Sequence, residues 1–263
     1  MERLRKTISI FFACLLFVTA ILAIDCQADA AKSGKWVELP GKAIDIGIGA
    51  NGAVWVVGTD KYMNDWSIHR WNGAVWEKIQ GAATRISVDS KGNAWVVNSL
   101  QDLYAWDGSS EWIDMKIKAM DIGLGADGTA WVIGSEKVGA DDWSIHRLGA
   151  NGWERMPGGG VGIDVDEKGN AFVVNSLHDM YRWNGAAWDR IAGKATDVGI
   201  GANGKVWVIG VDKTGEDGGI HRMENNHWRK TPGEGYRIDV DPAGFPWIVK
   251  SDTSIVRWSE DDK

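Results

Sequence analysis

Cysteine is almost missing from this chain. Both copies, Cys14 and Cys26, fall within the first 30 residues. The remainder therefore has no disulfide, no thiolate nucleophile and no cysteine-type zinc site. Positive charge is also in short supply: 29 Lys and Arg stand against 36 Asp and Glu, a formal net charge of -7. Residues 1–30 contain three bases and three acids, so their removal leaves that balance unchanged. Nucleic acid and anionic membrane surfaces call for a basic footprint, and neither is expected as the primary partner. Helical periodicity is absent from the folded part. So are Gly-x-Ser-x-Gly, His-Glu-x-x-His, Gly-Lys-Ser/Thr and EF-hand loops, and the expectation is a protein that is not an enzyme and uses no cofactor or metal.

What the chain does have begins with a leader. Met1–Lys6 is basic, Thr7–Ile24 is nearly all apolar, and Ala28-Asp29-Ala30 offers a small-x-small cleavage site. That layout reads as a signal peptide over residues 1–30, cleaved after Ala30, with a secreted or periplasmic product. An uncleaved anchor is the alternative, because the apolar run approaches the length of a bilayer span. Cleavage leaves residues 31–263 as the working domain, long enough to rely on core burial without disulfides.

Within it, Asp45-Ile-Gly-Ile-Gly-Ala-Asn-Gly-Ala-Val-Trp-Val-Val-Gly58 returns at Asp121–Gly134 and Asp197–Gly210, each copy 76 residues after the last. Asn51-Gly52, Asp127-Gly128 and Asn203-Gly204 mark two-residue hairpin turns in which both residues take positive φ. Alignment on tryptophan splits each block in two, with units starting near Trp36, Trp76, Trp112, Trp153, Trp188 and Trp228. Each unit holds four short strands; in the first they are expected near 43–48, 54–58, 67–71 and 75–79. Six such units predict an all-β fold, a six-bladed β-propeller of four-stranded blades. The last unit stops one strand short, while residues 36–39 precede the first complete unit. Residues 36–39 are therefore expected to complete the last blade beside residues 254–258 and close the ring.

All 17 tryptophans lie after residue 30. Trp55, Trp95, Trp131, Phe172, Trp207 and Trp247 share one second-strand position, and the six unit-starting tryptophans share one outer-strand position. Trp71, Trp106, Trp183 and Trp258 recur in the third strand. Large rings at repeated positions read as packing between blades. Gly47, Gly123 and Gly199 are expected to make room for a neighbour's ring.

Units of this size resemble tectonin repeats from Trp36 to Trp258. The resemblance rests on the outer Trp, the inner Asp-Ile-Gly or Ile-Asp-Val strand, the Trp-Val-Val/Ile second strand and the Ile-His-Arg or Tyr-Arg-Trp third strand. It implies a six-bladed, secreted recognition protein, either a lectin for glycans or bacterial lipopolysaccharide or a protein-interaction module. This chain differs in that alternate units are near-identical and the sixth is eroded, with Phe245-Pro246 replacing Asn-Ala.

The odd units carry longer loops between second and third strands: 59–66, 135–143 and 211–218. Trp66 and Trp143 sit there outside the repeating positions, beside Asp60, Asn64, Asp65, Asp141 and Asp142; Asp212 and Asp217 occupy the fifth unit, where Gly218 replaces the tryptophan. An aromatic plate flanked by carboxylates and amides can stack on a sugar and accept its hydroxyl hydrogen bonds. The competing view is that these rings fold back on the blade and the acids merely face water. His69, His146 and His221 recur in Ile-His-Arg but lack metal-ligand spacing and read as packed histidines. Asp45, Arg85, Asp121, Gly162, Asp197 and Arg237 align on the inner strand and could pair between neighbouring blades. Asp89, Asp166 and Asp241 are expected to bond their own turn amides. The functional expectation is multivalent glycan or lipopolysaccharide binding through the odd loops, with a protein–protein interaction scaffold as the alternative.

Overall fold

The computed structural model describes residues 34–139 and 141–260, and every described element is a strand or a turn. The leader expected over residues 1–30 lies outside them. The first unit contains β2 (Asp45–Ile48), β3 (Val54–Tyr62), β4 (Asp65–Trp71) and β5 (Trp76–Ala83), paired in sequence as an antiparallel meander. The pattern continues through β6 (Arg85–Val88), β7 (Ala94–Val97), β8 (Asp102–Trp106) and β9 (Trp112–Leu124). Strand β9 serves two units, pairing with β8 through Trp112–Lys118 and with β10 (Ala130–Val138) through Ala119–Leu124. After β11 (Asp142–Gly149) and β12 (Gly152–Gly160) come β13 (Gly162–Val165), β14 (Ala171–Val174) and β15 (Asp179–Trp183). Strand β16 (Trp188–Ile200) repeats the double role, leading into β17 (Val206–Thr214), β18 (Asp217–Glu224) and β19 (His227–Gly235). The last meander is β20 (Arg237–Val240), β21 (Pro246–Val249) and β22 (Ile255–Glu260). Its outer partner is β1 (Gly34–Leu39), antiparallel to β22 from Gly34↔Glu260 to Leu39↔Ile255. The fold is all-β and propeller-like.

The core lies between neighbouring sheets. Trp55, Trp131 and Trp207 are 1%, 0% and 2% exposed, and each indole N–H donates to a turn carbonyl of the next unit: Gly92, Gly169 and Gly244. Burying a ring while satisfying its only polar atom captures the apolar gain without a desolvation penalty. Arg70, Arg147 and Arg222 of the Ile-His-Arg strands lie 5.5–5.8 Å over these rings. The outer tryptophans act differently. Each packs on the third-strand tryptophan of its own sheet where one exists, as in Trp71–Trp76 at 4.9 Å and Trp36–Trp258 at 5.1 Å. The indole N–H then crosses to the preceding unit, from Trp36 to Pro232 O, Trp76 to Pro40 O, Trp112 to Gln80 O, Trp153 to Met115 O, Trp188 to Pro157 O and Trp228 to Ala192 O, at 2.6–3.0 Å.

Three expectations need correction. At the Asn-Gly and Asp-Gly turns only the glycine has positive φ, +84° at Gly52, +88° at Gly128 and +77° at Gly204. Asn51 stays on the ordinary side because its Oδ1 accepts from Ala53 N while its Nδ2 donates to Lys91 O of the next unit. The turn is thus a wider loop bound across the junction. Gly47, Gly123 and Gly199 make room for a neighbouring backbone, with a Cβ there 2.8–2.9 Å from the Cα of Ser87, Asp164 or Asp239. No ring is among their nearest neighbours. Finally, much of the odd-unit loops is strand. In the first, Lys61 pairs with Trp66 and Tyr62 with Asp65 beyond a register shift after Val57, because the extra residues satisfy their backbone groups by extending the ladder.

Candidate functional site

The extended odd hairpins place the candidate residues in three settings. Asp65 Oδ1 accepts from Ser99 N at 2.6 Å, Asp142 Oδ1 from Ser176 N at 2.7 Å and Asp217 Oδ1 from Ser251 N at 2.8 Å. These carboxylates therefore tie each odd hairpin to the next even unit. Asp60 lies 3.5 Å from Lys78. Asp212 lies 2.6 Å from Lys230 and 2.9 Å from His221, and these partners hold its carboxyl at about 2, below the usual range. Asn64 and Asp141 are exposed at the hairpin ends.

Trp66 and Trp143 are half-buried and pack on the cores beneath them. Each also carries a lysine, Lys61 Nζ at 5.6 Å and Lys137 Nζ at 4.2 Å from the ring centroid. The rings thus fold partly back on the sheets, as the competing view expected, while keeping an accessible edge. The fifth unit cannot supply a third tryptophan, since any side chain at Gly218 would run into the Gly210 carbonyl.

Beside these hairpins the structure opens clefts that sequence reasoning missed. Between third and fourth units a cavity of about 250 Å³ is walled by Ile145, Val173, Tyr181 and Trp188, floored by Gly158 and Gly159, with Asp142 and Asn175 at its polar end. The same position between first and second units is a cavity of about 200 Å³ lined by Ile68, Gly81, Ala82, Val96, Tyr104 and Trp112. It shares Gly81 and Ala82 with a wider cleft of about 610 Å³ bounded by Asp60, Lys61, Tyr62, Asp65 and Lys78. The local cause is a bulge in the outer strand. Gly81 takes φ +128° and Gly158 +87°, turning the preceding carbonyl toward the next unit's tryptophan and leaving a hollow behind it. The outer-strand Gly preceded by Gln80 or Pro157 was the available signal.

At the centre the inner-strand carboxylates bridge neighbouring units. Asp45 accepts from Ile86 N, Asp121 from Ile163 N, Asp164 from Ile200 N, Asp197 from Ile238 N and Asp239 from Ile48 N, at 2.6–3.0 Å. Between β6 and β9, where Ser87 stands in place of an acid, Arg85 meets Asp121 at 3.7 Å; Arg237 lies 3.6 Å from Asp197 and 4.0 Å from Asp45. The expected cross-blade pairing is therefore present, and Gly162 remains the gap. Five carboxylates and Arg237 line a cavity of about 30 Å³, too small for more than ordered water. Burial pushes Asp164 and Asp239 well above the usual carboxylate range, with Asp239 adding to the effect at Asp164. Burial likewise raises Asp121 against the pull of Arg85, and Asp197 to about 7 against that of Arg237. This centre is structural.

The recurrent histidines are satisfied locally, His69 by Ser67 Oγ at 2.9 Å, His146 by Ser144 Oγ at 3.1 Å and His221 by Asp212. Burial lowers His69 and His146. No metal-holding cluster occurs among the described residues.

Residues 21–186 and 159–263 match the Tectonin domain family. The chain belongs to the tectonin family. A 59-residue stretch is 37% identical to Tectonin-2 of Physarum polycephalum, covering 22% of this chain and 16% of that relative's length. Among solved structures, YCF48 bound to D1 peptide superposes with a TM-score of 0.54 at 14% identity, over 87% of this tectonin and 97% of YCF48. A Bacteroides thetaiotaomicron structural-genomics protein gives 0.58 at 10% identity over 87% and 72% of the two chains. The WD40 β-propeller domain of Doa1 gives 0.53 at 11% identity over 88% and 96%. At these identities the structural likenesses concern the propeller fold alone.

Proposed function

We propose that this tectonin is a secreted, non-catalytic lectin whose domain is a closed six-bladed disc, binding glycans or lipopolysaccharide multivalently beside its odd hairpins. The observation that carries the reading is the repeated juxtaposition of aromatic side chains, a shallow cleft and hydrogen-bonding acids at the junction after the first and the third units. Aromatic rings supply an apolar face for a sugar ring, and the neighbouring carboxylates and amides accept its hydroxyls. The six outer tryptophan bonds, together with the β1–β22 pairing, support a rigid disc on which such positions keep a fixed spacing. A fixed spacing turns weak single contacts into strong binding to a glycan-covered surface.

Glycan-array screening of residues 31–263, alongside Trp66→Ala and Trp143→Ala, tests the reading. Defined sugar hits weakened by either substitution are expected, and an array without hits refutes it. The second reading is a peptide-binding scaffold, favoured by exposed Tyr62, Met63 and Leu100 at 67%, 80% and 68% exposure. Peptide capture without sugar binding would select it. Secretion is tested separately, by the size and N-terminal residue of the exported product.

A further inference from the structure

Three junctions in the molecule join an odd unit to an even one, and they are not alike. At the first, Trp112 Nε1 donates to Gln80 O, Tyr104 pairs with Val96, and Ala82 pairs with Ser67. At the second, Trp188 donates to Pro157 O, Tyr181 pairs with Val173, and Gly159 pairs with Ser144. The third keeps the frame: Trp36 donates to Pro232 O and Gly233 takes φ +110°. Its lining has changed, however. Val256 stands in the tyrosine position opposite Ile248, and Glu234 stands in the Ala82/Gly159 position opposite Gly219. Lys250 occupies the turn position of Asn98 and Asn175, each donating its N–H to the carbonyl four residues on.

Building on the lectin reading, we propose that the first and second of these junctions each hold one sugar ring and that the third does not. The two clefts, at about 200 and 250 Å³, fall below the roughly 300–1,000 Å³ that accommodates drug-sized ligands. They therefore suit a single pyranose rather than a longer glycan segment. In each, the tryptophan's polar atom is already bonded to the preceding unit, so the ring presents only its apolar surface. Tyr104 and Tyr181, both half-buried, add a second aromatic wall that ends in a hydroxyl. At the second junction Asp142 is tied to Ser176 N through Oδ1 alone, which leaves Oδ2 to accept from a ligand hydroxyl. Asn175 uses its Oδ1 on Leu177 N and Asp179 N, which leaves the amide N–H to donate. The third junction lacks the tyrosine wall and puts one acid and one base where the others have a small residue and an amide. A neutral ring would have to displace the water around both charges without pairing either. Valency is then two, set 120° apart by the repeat, and Tyr104, Tyr181, Glu234, Lys250 and Val256 decide it.

The test uses ¹⁵N-labelled residues 31–263 titrated with N-acetylglucosamine, mannose and galactose as probes, reading the indole N–H signals. Shifts at Trp112 and Trp188, with Trp36 unmoved, are expected. Tyr104→Val should abolish the Trp112 shift and spare that of Trp188; Tyr181→Val should do the reverse. Both substitutions copy the residue the third junction already carries, so a folded protein is expected, and the unaffected indole confirms it. The combined variant Val256→Tyr, Glu234→Gly, Lys250→Asn should bring Trp36 into the responding set. A response of Trp36 in the native protein, or responses confined to Trp66 and Trp143, overturns the two-site assignment and leaves the lectin reading standing. A silent Trp36 in the combined variant overturns the role given to Val256, Glu234 and Lys250. No shift with any probe, together with an empty glycan array, overturns both.

Discussion

The inner half of each sheet and its outer half use the same residue, aspartate, to opposite ends. On the inner strands Asp121, Asp164, Asp197 and Asp239 sit in a nearly dry centre, accept backbone N–H groups of a neighbouring unit, and have raised pKa values. On the outer strands and turns Asp107, Asp114 and Asp179 face water, bond turn amides or basic side chains, and have lowered pKa values. The lesson is that a carboxyl's role follows from its solvent. Inside, it is a shaped acceptor whose charge is a liability; outside, the charge itself makes the contact.

The contrast should be sharpest in stability. Trp131→Ala empties a fully buried inner position and strands the Gly169 carbonyl, and denaturant unfolding should show a loss of about 3–5 kcal/mol. Next comes Asp239→Ala. It leaves the N–H groups of Ile48 and Val240 without acceptors, at a cost of about 2–4 kcal/mol, whereas Asp239→Asn keeps an acceptor and should lose much less.

A pH series breaks the comparison if it is wrong. Between the unfolded carboxylate value near 3.8 and the folded value of about 7 at Asp197, the native inner strands hold protons that the unfolded chain has released. Their contribution is therefore full at low pH and declines as pH rises through that window. The outer acids act in reverse: their contribution is present above the unfolded value and is lost as pH falls through their lowered values. Maximum stability is expected on the mildly acidic side, and Asp197→Asn should flatten the decline toward neutrality. A stability optimum above pH 8 would refute the assignment.

Smaller effects belong outside. Trp112→Phe retains the ring but deletes its bond to Gln80 O, and should cost about 1 kcal/mol. Asp114→Asn, on a fully solvated turn, should leave the thermal midpoint unchanged.

Much of the binding reading turned on distinctions of this kind. Trp66 and Trp143 stood out in the sequence because they broke the repeat, and the structure places both at the mouths of junctions. Asp65, Asp142 and Asp217 stood beside them and read as ligand groups. Instead they donate no charge to an open site, because a serine N–H of the following unit lies within reach. Tyr104 and Tyr181 were visible only as substitutes for histidine in an even strand, and nothing in their local spelling connects them to Trp112, Trp188 or the outer-strand glycines.

The sequence by itself determined the repeat, the meander within each unit, and the aromatic ladder, because strand periodicity, turn residues and burial preference are local properties written every few residues. The partners across each junction were decided only in the tertiary structure. Which carbonyl receives an indole, which N–H satisfies a carboxylate and where a hollow remains all depend on how one twisted sheet lies against the next. Residues separated by some 30 to 40 positions meet there, and no pattern inside a single unit encodes the angle at which they do.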